Sequence, residues 1–166
     1  MPLLSLIIAA QALSAPAAVP PCRPSHLRLS VDGRDGDFNG MSHSGTALMI
    51  RNLGPDCMLP ALPVVSLRDT HGRALPAARR APVGMHPGPV MLPVRLGAGH
   101  QAETDLRWVA GPVFAHNRTV KPASLTVQIG TGTLRAPVKA LLYGEAGKPV
   151  AFDQTPLHVV EGMPAG

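Results

Sequence analysis

Glycine and proline together make up more than a fifth of this chain, with 17 glycines and 19 prolines among 166 residues. Proline lacks a backbone N–H and glycine readily adopts turn conformations, so both residues favour turns and interrupt long helices. The apolar residues between them fall into short runs that alternate with polar residues, and no segment shows a helical repeat. We therefore predict an all-β protein, an antiparallel immunoglobulin-like β-sandwich of about seven to nine short strands with one disulfide.

The strand pattern recurs along most of the chain. In residues 101–109 the residues Leu106 and Trp108 share one face, which predicts that Trp108 belongs to the core. Residues 130–133 predict a tight turn that joins two strands in a hairpin, and the turn-rich residues 32–45 predict a loop. The predicted strands cover residues 27–31, 46–52, 64–69, 90–96, 101–109, 124–129, 134–143 and 157–160.

The start of the chain predicts export. Leu3 to Ala18 carry no charge and end in the small residues that a signal peptidase reads. We predict a signal peptide over residues 1–18 and a single domain over 19–166, with its core at about 22–143 and a less regular C-terminal tail. The apolar run is shorter than the roughly 20 residues of a membrane span. The interpretation is an exported bacterial protein, periplasmic or extracellular, without a transmembrane segment.

Cys22 and Cys57 are the two cysteines of the chain. An exported chain with an even number of cysteines usually oxidises them, which predicts one disulfide. This bond would close a loop of roughly 35 residues and stabilise the fold by about 3–4 kcal/mol through chain entropy. Two alternatives stay open at this point: free buried thiols, and a lipid anchor on Cys22, which Pro20 and Pro21 disfavour.

The formal net charge of +5 favours an acidic partner. Basic residues are scattered, however, and Trp108 and Tyr143 are too few to stack bases, so the pattern argues against a nucleic-acid site. A proline-rich excursion over residues 76–89 holds the one adjacent basic pair of the chain. We predict that an envelope protein or a glycan binds there, with the candidate contacts Arg73, Arg79 and Arg80.

Methionine and histidine occur close together at two places, which indicates a soft-metal site. Thioether and imidazole groups bind Cu(I) in an oxidising compartment, where thiolates are lost to disulfides. The alternative interpretation is that the methionines fill gaps in a core poor in aromatic residues. The candidate ligands are Met41, His43, Met85 and His86.

A second metal pattern, weaker than the first, occurs before the second predicted strand. Asp35 to Gly40 reads D-x-D-x-N-G, which is the start of a calcium-binding loop. Thr46 stands where an EF-hand has its bidentate glutamate, and the pattern predicts no flanking helices. The interpretation that we prefer is a polar turn built from Asp, Asn and Gly.

The seven histidines form no catalytic or zinc-binding pattern. None stands in a His-x-His or His-x-x-x-His pair, and the sequence contains no Gly-x-Ser-x-Gly elbow. We therefore predict a protein that is not an enzyme and needs no cofactor, an accessory or binding module of the cell envelope. The alternative is a periplasmic metal carrier, with copper first and calcium second.

The order of several short motifs is also characteristic. An early Cys precedes a Leu-x-Leu-x-Val strand, an Asn-x-Gly turn precedes the second Cys, and a Gly-x-Gly turn precedes a Leu-x-Trp strand. The matching positions are Cys22, Leu27 to Val31, Gly40, Leu48 to Asn52 with Gly54, Cys57, Pro63 to Asp69 with Gly72, Leu96 to Gly99, and Leu106 to Trp108.

This order resembles a widespread bacterial family of exported β-sandwich domains, catalogued only as a domain of unknown function. The resemblance covers about Cys22 to Tyr143, and residues 52–60 are its most specific part. It implies a β-sandwich, export and a Cys22–Cys57 bond, and it implies no catalytic residues. The chain departs from the family pattern in its Pro/Arg-rich insert, Ala77 to Met91, and in its low aromatic content.

Overall fold

The computed structural model describes residues 17–81 and 91–161. Over these residues the chain is all-β and has no α-helix, and its two 3-10 helices (Pro24–His26 and Arg34–Gly36) are single turns. No helix in this part of the chain is long and apolar enough to cross a membrane. The strands are β1 (Leu27–Asp32), β2 (His43–Asn52), β3 (Cys57–Leu59), β4 (Val65–Arg68), β5 (Ala77–Arg79), β6 (Val94–Leu96), β7 (Gln101–Val109), β8 (Asn117–Val120), β9 (Ser124–Ile129), β10 (Gly132–Pro137), β11 (Leu142–Glu145), β12 (Val150–Gln154) and β13 (His158–Val160).

Two sheets form the body of the fold. The larger sheet has the order β1-β2-β7-β12-β5, and β13 pairs with the first residues of β7. The smaller sheet has the order β10-β9-β4. The strand pairs are antiparallel except for β5 with β12, which is parallel. Two further ribbons pair β8 with β11 and β3 with β6.

The facing surfaces of the two sheets form one apolar core. The alternation along β2 and β7 points Leu48, Ile50 and Leu106 inward, with at most 2% of each residue exposed. The smaller sheet contributes Leu125 and Val127, which have no exposed area. Other members of the same cluster are Leu27, Leu59, Leu67, Leu96, Leu134, Val150 and Phe152.

The prediction of an all-β, sandwich-like fold with one disulfide is confirmed. The predicted hairpin is also present, because Ile129 pairs with Gly132 across a two-residue turn in which Gly130 has a φ of +56°. The described residues form thirteen strands rather than seven to nine. The strands β3, β5, β8 and β12, which are only three to five residues long, were not predicted. Such short strands show too little alternation to be recognised in a sequence. The immunoglobulin-like assignment stays a prediction.

Residues 144–161 are more regular than the sequence indicated. β12 and β13 both pair with β7, the central strand of the larger sheet. Val150 and Phe152 of β12 are at most 2% exposed and belong to the main core. This segment is therefore an integral part of the sandwich and not a loosely attached tail.

The connection between β1 and β2 folds over the outer face of the larger sheet. Phe38 is buried there above Gly45, where a Cβ would lie 2.3 Å from the Leu106 carbonyl oxygen. Arg34 pairs with Glu103 of β7, which is only 8% exposed, and its guanidinium carbon lies 5.3 Å from the centre of the Phe38 ring. This connection therefore has an apolar residue and an ion pair that fix it to the sheet.

Asn52 joins two turns at the far end of β2. Its side chain is fully buried and donates to the carbonyl oxygens of Pro55 (2.8 Å) and Leu96 (3.1 Å). A further contact of 3.2 Å reaches the Gly97 carbonyl oxygen, and the Asn52 Oδ1 accepts a hydrogen bond from the Gly54 N–H (2.9 Å). One amide group thus holds the turn after β2 against the turn after β6.

An exposed carboxylate strengthens the same junction. Asp56 accepts a hydrogen bond from the Arg95 side chain (2.8 Å) and another from the Ala98 N–H (3.0 Å). The Arg95 hydrogen bond, and then the Ala98 N–H, hold the pKa of Asp56 below its ordinary value. Because the carboxylate form is the one that makes both contacts, they persist at neutral pH and are lost only in acid.

Candidate functional site

A cleft of about 890 Å³ opens at one end of the sandwich, between the two sheets. This volume lies in the range of pockets that hold small organic molecules. The lining is largely apolar, and its apolar side chains include Val31, Trp108, Pro122, Val138, Ala140 and Leu141.

The first wall of the cleft is the end of the inner face of the larger sheet. Ser44 of β2 pairs directly with Trp108 of β7, so their side chains lie next to each other. Trp108 pairs on its other side with Phe152 of β12. β1 ends at Asp32, opposite Ala47, and does not extend along β2 as far as Ser44.

The second wall consists of two connections, the one between β8 and β9 and the one between β10 and β11. The Val138 N–H donates to the Ala123 carbonyl oxygen (3.1 Å), which holds these connections side by side. Lys121 and Lys139 stand close to this hydrogen bond in the sequence, and both are exposed. The topology therefore places two lysine residues on one wall of the cleft.

The hydroxyl groups that line the cleft already have partners within the chain. Ser44 Oγ donates to Asn39 Oδ1 (2.6 Å), and Thr46 Oγ1 donates to the carbonyl oxygen of the next residue (3.2 Å). The Thr70 hydroxyl lies 3.3 Å from the ring nitrogen of the adjacent histidine. The Ser44 and Thr46 hydroxyl groups therefore already use their one O–H donor, and they can act only as acceptors toward a bound molecule.

The charges on the cleft have one sign. Lys121 and Lys139 line it, whereas no aspartate or glutamate does. Neither lysine forms an ion pair within residues 17–81 and 91–161. The cleft therefore favours an anion over a cation.

Trp108 is the residue of the cleft that the core prediction identified, and it is only 8% exposed. Its indole N–H is buried and has no hydrogen-bond partner in the described part of the chain. An unpaired buried donor destabilises a fold by about 1–3 kcal/mol. Trp108 is also the single tryptophan of the chain, so tryptophan fluorescence reports directly on this wall of the cleft.

The predicted disulfide is present between Cys22 and Cys57, whose Cα atoms are 4.7 Å apart. Both cysteines are buried, each with 5% of its surface exposed. The backbone supports the link, because the Cys22 N–H donates to the Met58 carbonyl oxygen (3.0 Å). The bond fixes the segment before β1 to β3.

Two of the four predicted metal ligands, Met41 and His43, lie in the described residues. Met41 is 96% exposed, and the His43 Nδ1 lies 3.0 Å from the Met41 carbonyl oxygen. Met85 and His86 lie outside the described residues. Among the residues that are described, no three His, Cys, Asp or Glu side chains form a cluster that could hold a metal ion. The soft-metal site stays a prediction.

The three predicted partner-binding arginines lie at exposed positions around β5. Arg73 forms an ion pair with Asp69 (3.0 Å), and Arg80 forms one with Asp153 (3.6 Å). The Arg73 N–H, which is the largest cause, and the Arg73 guanidinium lower the pKa of Asp69. Arg79, at the end of β5, has no ion pair in the ranges that the structure describes. Two of the three arginines therefore already have a carboxylate partner, and the interaction at this surface stays a prediction.

Sequence reasoning did not find the cleft. The two lysines are isolated in the sequence, each next to a proline or an alanine, and no motif connects them. The one available signal was the position of Trp108 as the last inward residue of an alternating strand, at the edge of the predicted core. Recognising the cleft required the strand pairings, which bring residues 31, 44, 108, 121 and 139 to one place.

The fold and the cleft define a sandwich-like β-protein with one disulfide and an open space between its sheets. A family model described as "Domain of unknown function (DUF4232)" matches residues 22–160, and the chain belongs to this family. The match extends past Tyr143 and includes β12 and β13, in agreement with their place in the larger sheet. No curated protein and no solved structure matches the chain.

Proposed function

We propose that this protein is a non-enzymatic binding module of the bacterial cell envelope and that the cleft between its sheets is its ligand site. The cleft itself, with a volume of about 890 Å³ beside Trp108, is the observation that carries the proposal. Protein cores are normally closely packed, and apolar space of this size is a common feature of binding sites. The proposal therefore explains why the core is left open at this end.

Export is the second part of the proposal. The uncharged apolar start of the chain is typical of a signal peptide, and the Cys22–Cys57 bond is consistent with an oxidising compartment. A periplasmic or extracellular module would meet lipids, glycans and peptides of the envelope. Apolar side chains and two exposed lysines line the cleft, and this combination is suited to binding such a molecule.

A substitution that fills the cleft tests this proposal. Ala140 lines the cleft and is half-buried, so Ala140→Phe would occupy part of the space that a ligand needs. Ala78→Phe is the matched control, because Ala78 is exposed on β5 and does not line the cleft. Both variants are first compared with the wild type by circular dichroism and thermal unfolding.

The folded proteins are then incubated with a small-molecule extract of cell envelopes, washed and denatured, and the released compounds are measured by mass spectrometry. We expect a compound that the wild type and Ala78→Phe retain and that Ala140→Phe retains at least about tenfold less, equivalent to about 1.4 kcal/mol. The proposal would be contradicted if nothing were retained, or if retention depended on Ala78 rather than on Ala140.

The two interpretations from the sequence remain alternatives to the cleft. An acidic partner at Arg73, Arg79 and Arg80 would have to compete with Asp69 and Asp153 for two of the three guanidinium groups. A metal carrier would gain stability from Cu(I) or Ca²⁺ bound to the folded state alone, whereas the binding module would not. No contact in the described residues favours either alternative over the cleft.

A further inference from the structure

We propose that the cleft binds an anionic amphiphile, a molecule with an apolar body and one carboxylate or phosphate head group. This inference rests on the proposed function and specifies the ligand class for the same site. Three properties of the cleft favour such a ligand: the apolar character of its walls, the engagement of its hydroxyl donors, and the two lysines in its lining.

The walls select an apolar body. Trp108 on one side faces the space bounded by Pro122, Val138 and Leu141 on the other. Burying apolar surface against such walls is the main source of affinity that they can provide. A sugar, in contrast, needs many hydrogen bonds, and the hydroxyl groups of Ser44 and Thr46 are already engaged within the chain.

The lysines select the head group. Lys121 and Lys139 belong to two connections that the Val138–Ala123 hydrogen bond holds together, so both residues line the same wall. Both are exposed, which places them at the mouth of the cleft rather than at its base. A single anionic group at the mouth can interact with both lysines while its apolar body enters the cleft. A cationic amphiphile of the same length is disfavoured by both of them.

The single tryptophan gives a direct assay. The purified mature protein is titrated with octanoate, octanol and octylammonium, which share one apolar chain, while the fluorescence of Trp108 is recorded. Octyl phosphate distinguishes a phosphate head group from a carboxylate, and acetate measures the head group alone. We expect saturable changes with octanoate or octyl phosphate, weaker binding of octanol, still weaker binding of octylammonium, and no response to acetate.

Charge reversal then tests the lysines. The double variant Lys121→Glu with Lys139→Glu should weaken binding of the anionic probe by roughly tenfold and leave octanol binding unchanged. The control is Arg28→Glu with Arg51→Glu, an exposed cross-strand pair of β1 and β2 that does not line the cleft. This control makes the same change in net charge. A second double variant, Lys121→Gln with Lys139→Gln, should weaken binding of the anionic probe in the same direction but less strongly. It provides the test if the charge-reversal variant does not fold.

Three results would overturn the inference. The first is the absence of a saturable response to either anionic probe. The second is equal binding of octanoate, octanol and octylammonium. The third is an equal effect of the lysine variants and the arginine variants on binding of the anionic probe. The proposed function would fail separately, through the retention experiment with Ala140→Phe. If that experiment succeeds with a neutral or cationic compound, the binding module stands and only the ligand class is wrong.

Discussion

Replacing both cysteines, Cys22→Ala with Cys57→Ala, is expected to lower the free energy of unfolding by about 3–4 kcal/mol. The bond joins residues 35 apart in the sequence, and its loss lets the unfolded chain sample many more conformations. Both sulfur atoms are also buried in the core, so their removal adds a packing loss in the same direction. Equilibrium unfolding in denaturant measures the change.

The single variants provide the control for this prediction. Cys22→Ala and Cys57→Ala each break the same bond, so each should lose nearly as much stability as the double variant. Reduction of the wild type under the same conditions should give a similar loss. A decrease below about 1 kcal/mol in the double variant would show that the bond adds little to folding stability, in conflict with the chain-entropy argument.

Asn52→Ala is expected to lower the free energy of unfolding by about 3 kcal/mol. The substitution removes the amide that donates to the carbonyl oxygens of Pro55 and Leu96 and the oxygen that accepts from the Gly54 N–H. These backbone groups would lose their partner, and buried polar groups without partners each destabilise a fold by about 1–3 kcal/mol. The measurement is again equilibrium unfolding in denaturant.

The matched control for this prediction is Asn39→Ala. Asn39 is also an asparagine in a turn, but it is exposed and accepts one hydrogen bond, from the Ser44 hydroxyl. Its substitution should lower stability by less than about 1 kcal/mol. Equal losses in the two variants would mean that Asn52 acts only as a turn residue and does not join the two turns.

The comparison of sequence and structure shows what alternation can predict. β7 is long, and its inward residues Leu106 and Trp108 alternate with polar ones, so both its limits and its buried face were predicted correctly. β5 has no such signal, because it is only three residues long and two of them are alanine. Its position is set by its parallel pairing with β12. Short strands of this kind are fixed by tertiary pairing rather than by their own sequence.

The same distinction applies to the candidate site. An Asn-x-Gly pattern indicates a turn at Asn52, but not that its side chain reaches Leu96, which lies 44 residues away in the sequence. The core position of Trp108 could likewise be predicted, whereas the open space in front of it could not. That space is bounded on its opposite side by two connections that are distant in the sequence.

The most direct test of the account is to locate bound ligand by nuclear magnetic resonance. The ¹⁵N-labelled protein is mixed with the small-molecule fraction of an envelope extract, and the shifts of its N–H signals are recorded. We expect the changes to concentrate on residues 44–46, 121, 123 and 138–141 and on the single indole N–H signal, from Trp108. Changes confined to the surroundings of Arg79 and Arg80, or no changes at all, would contradict the claim that this cleft is the binding site.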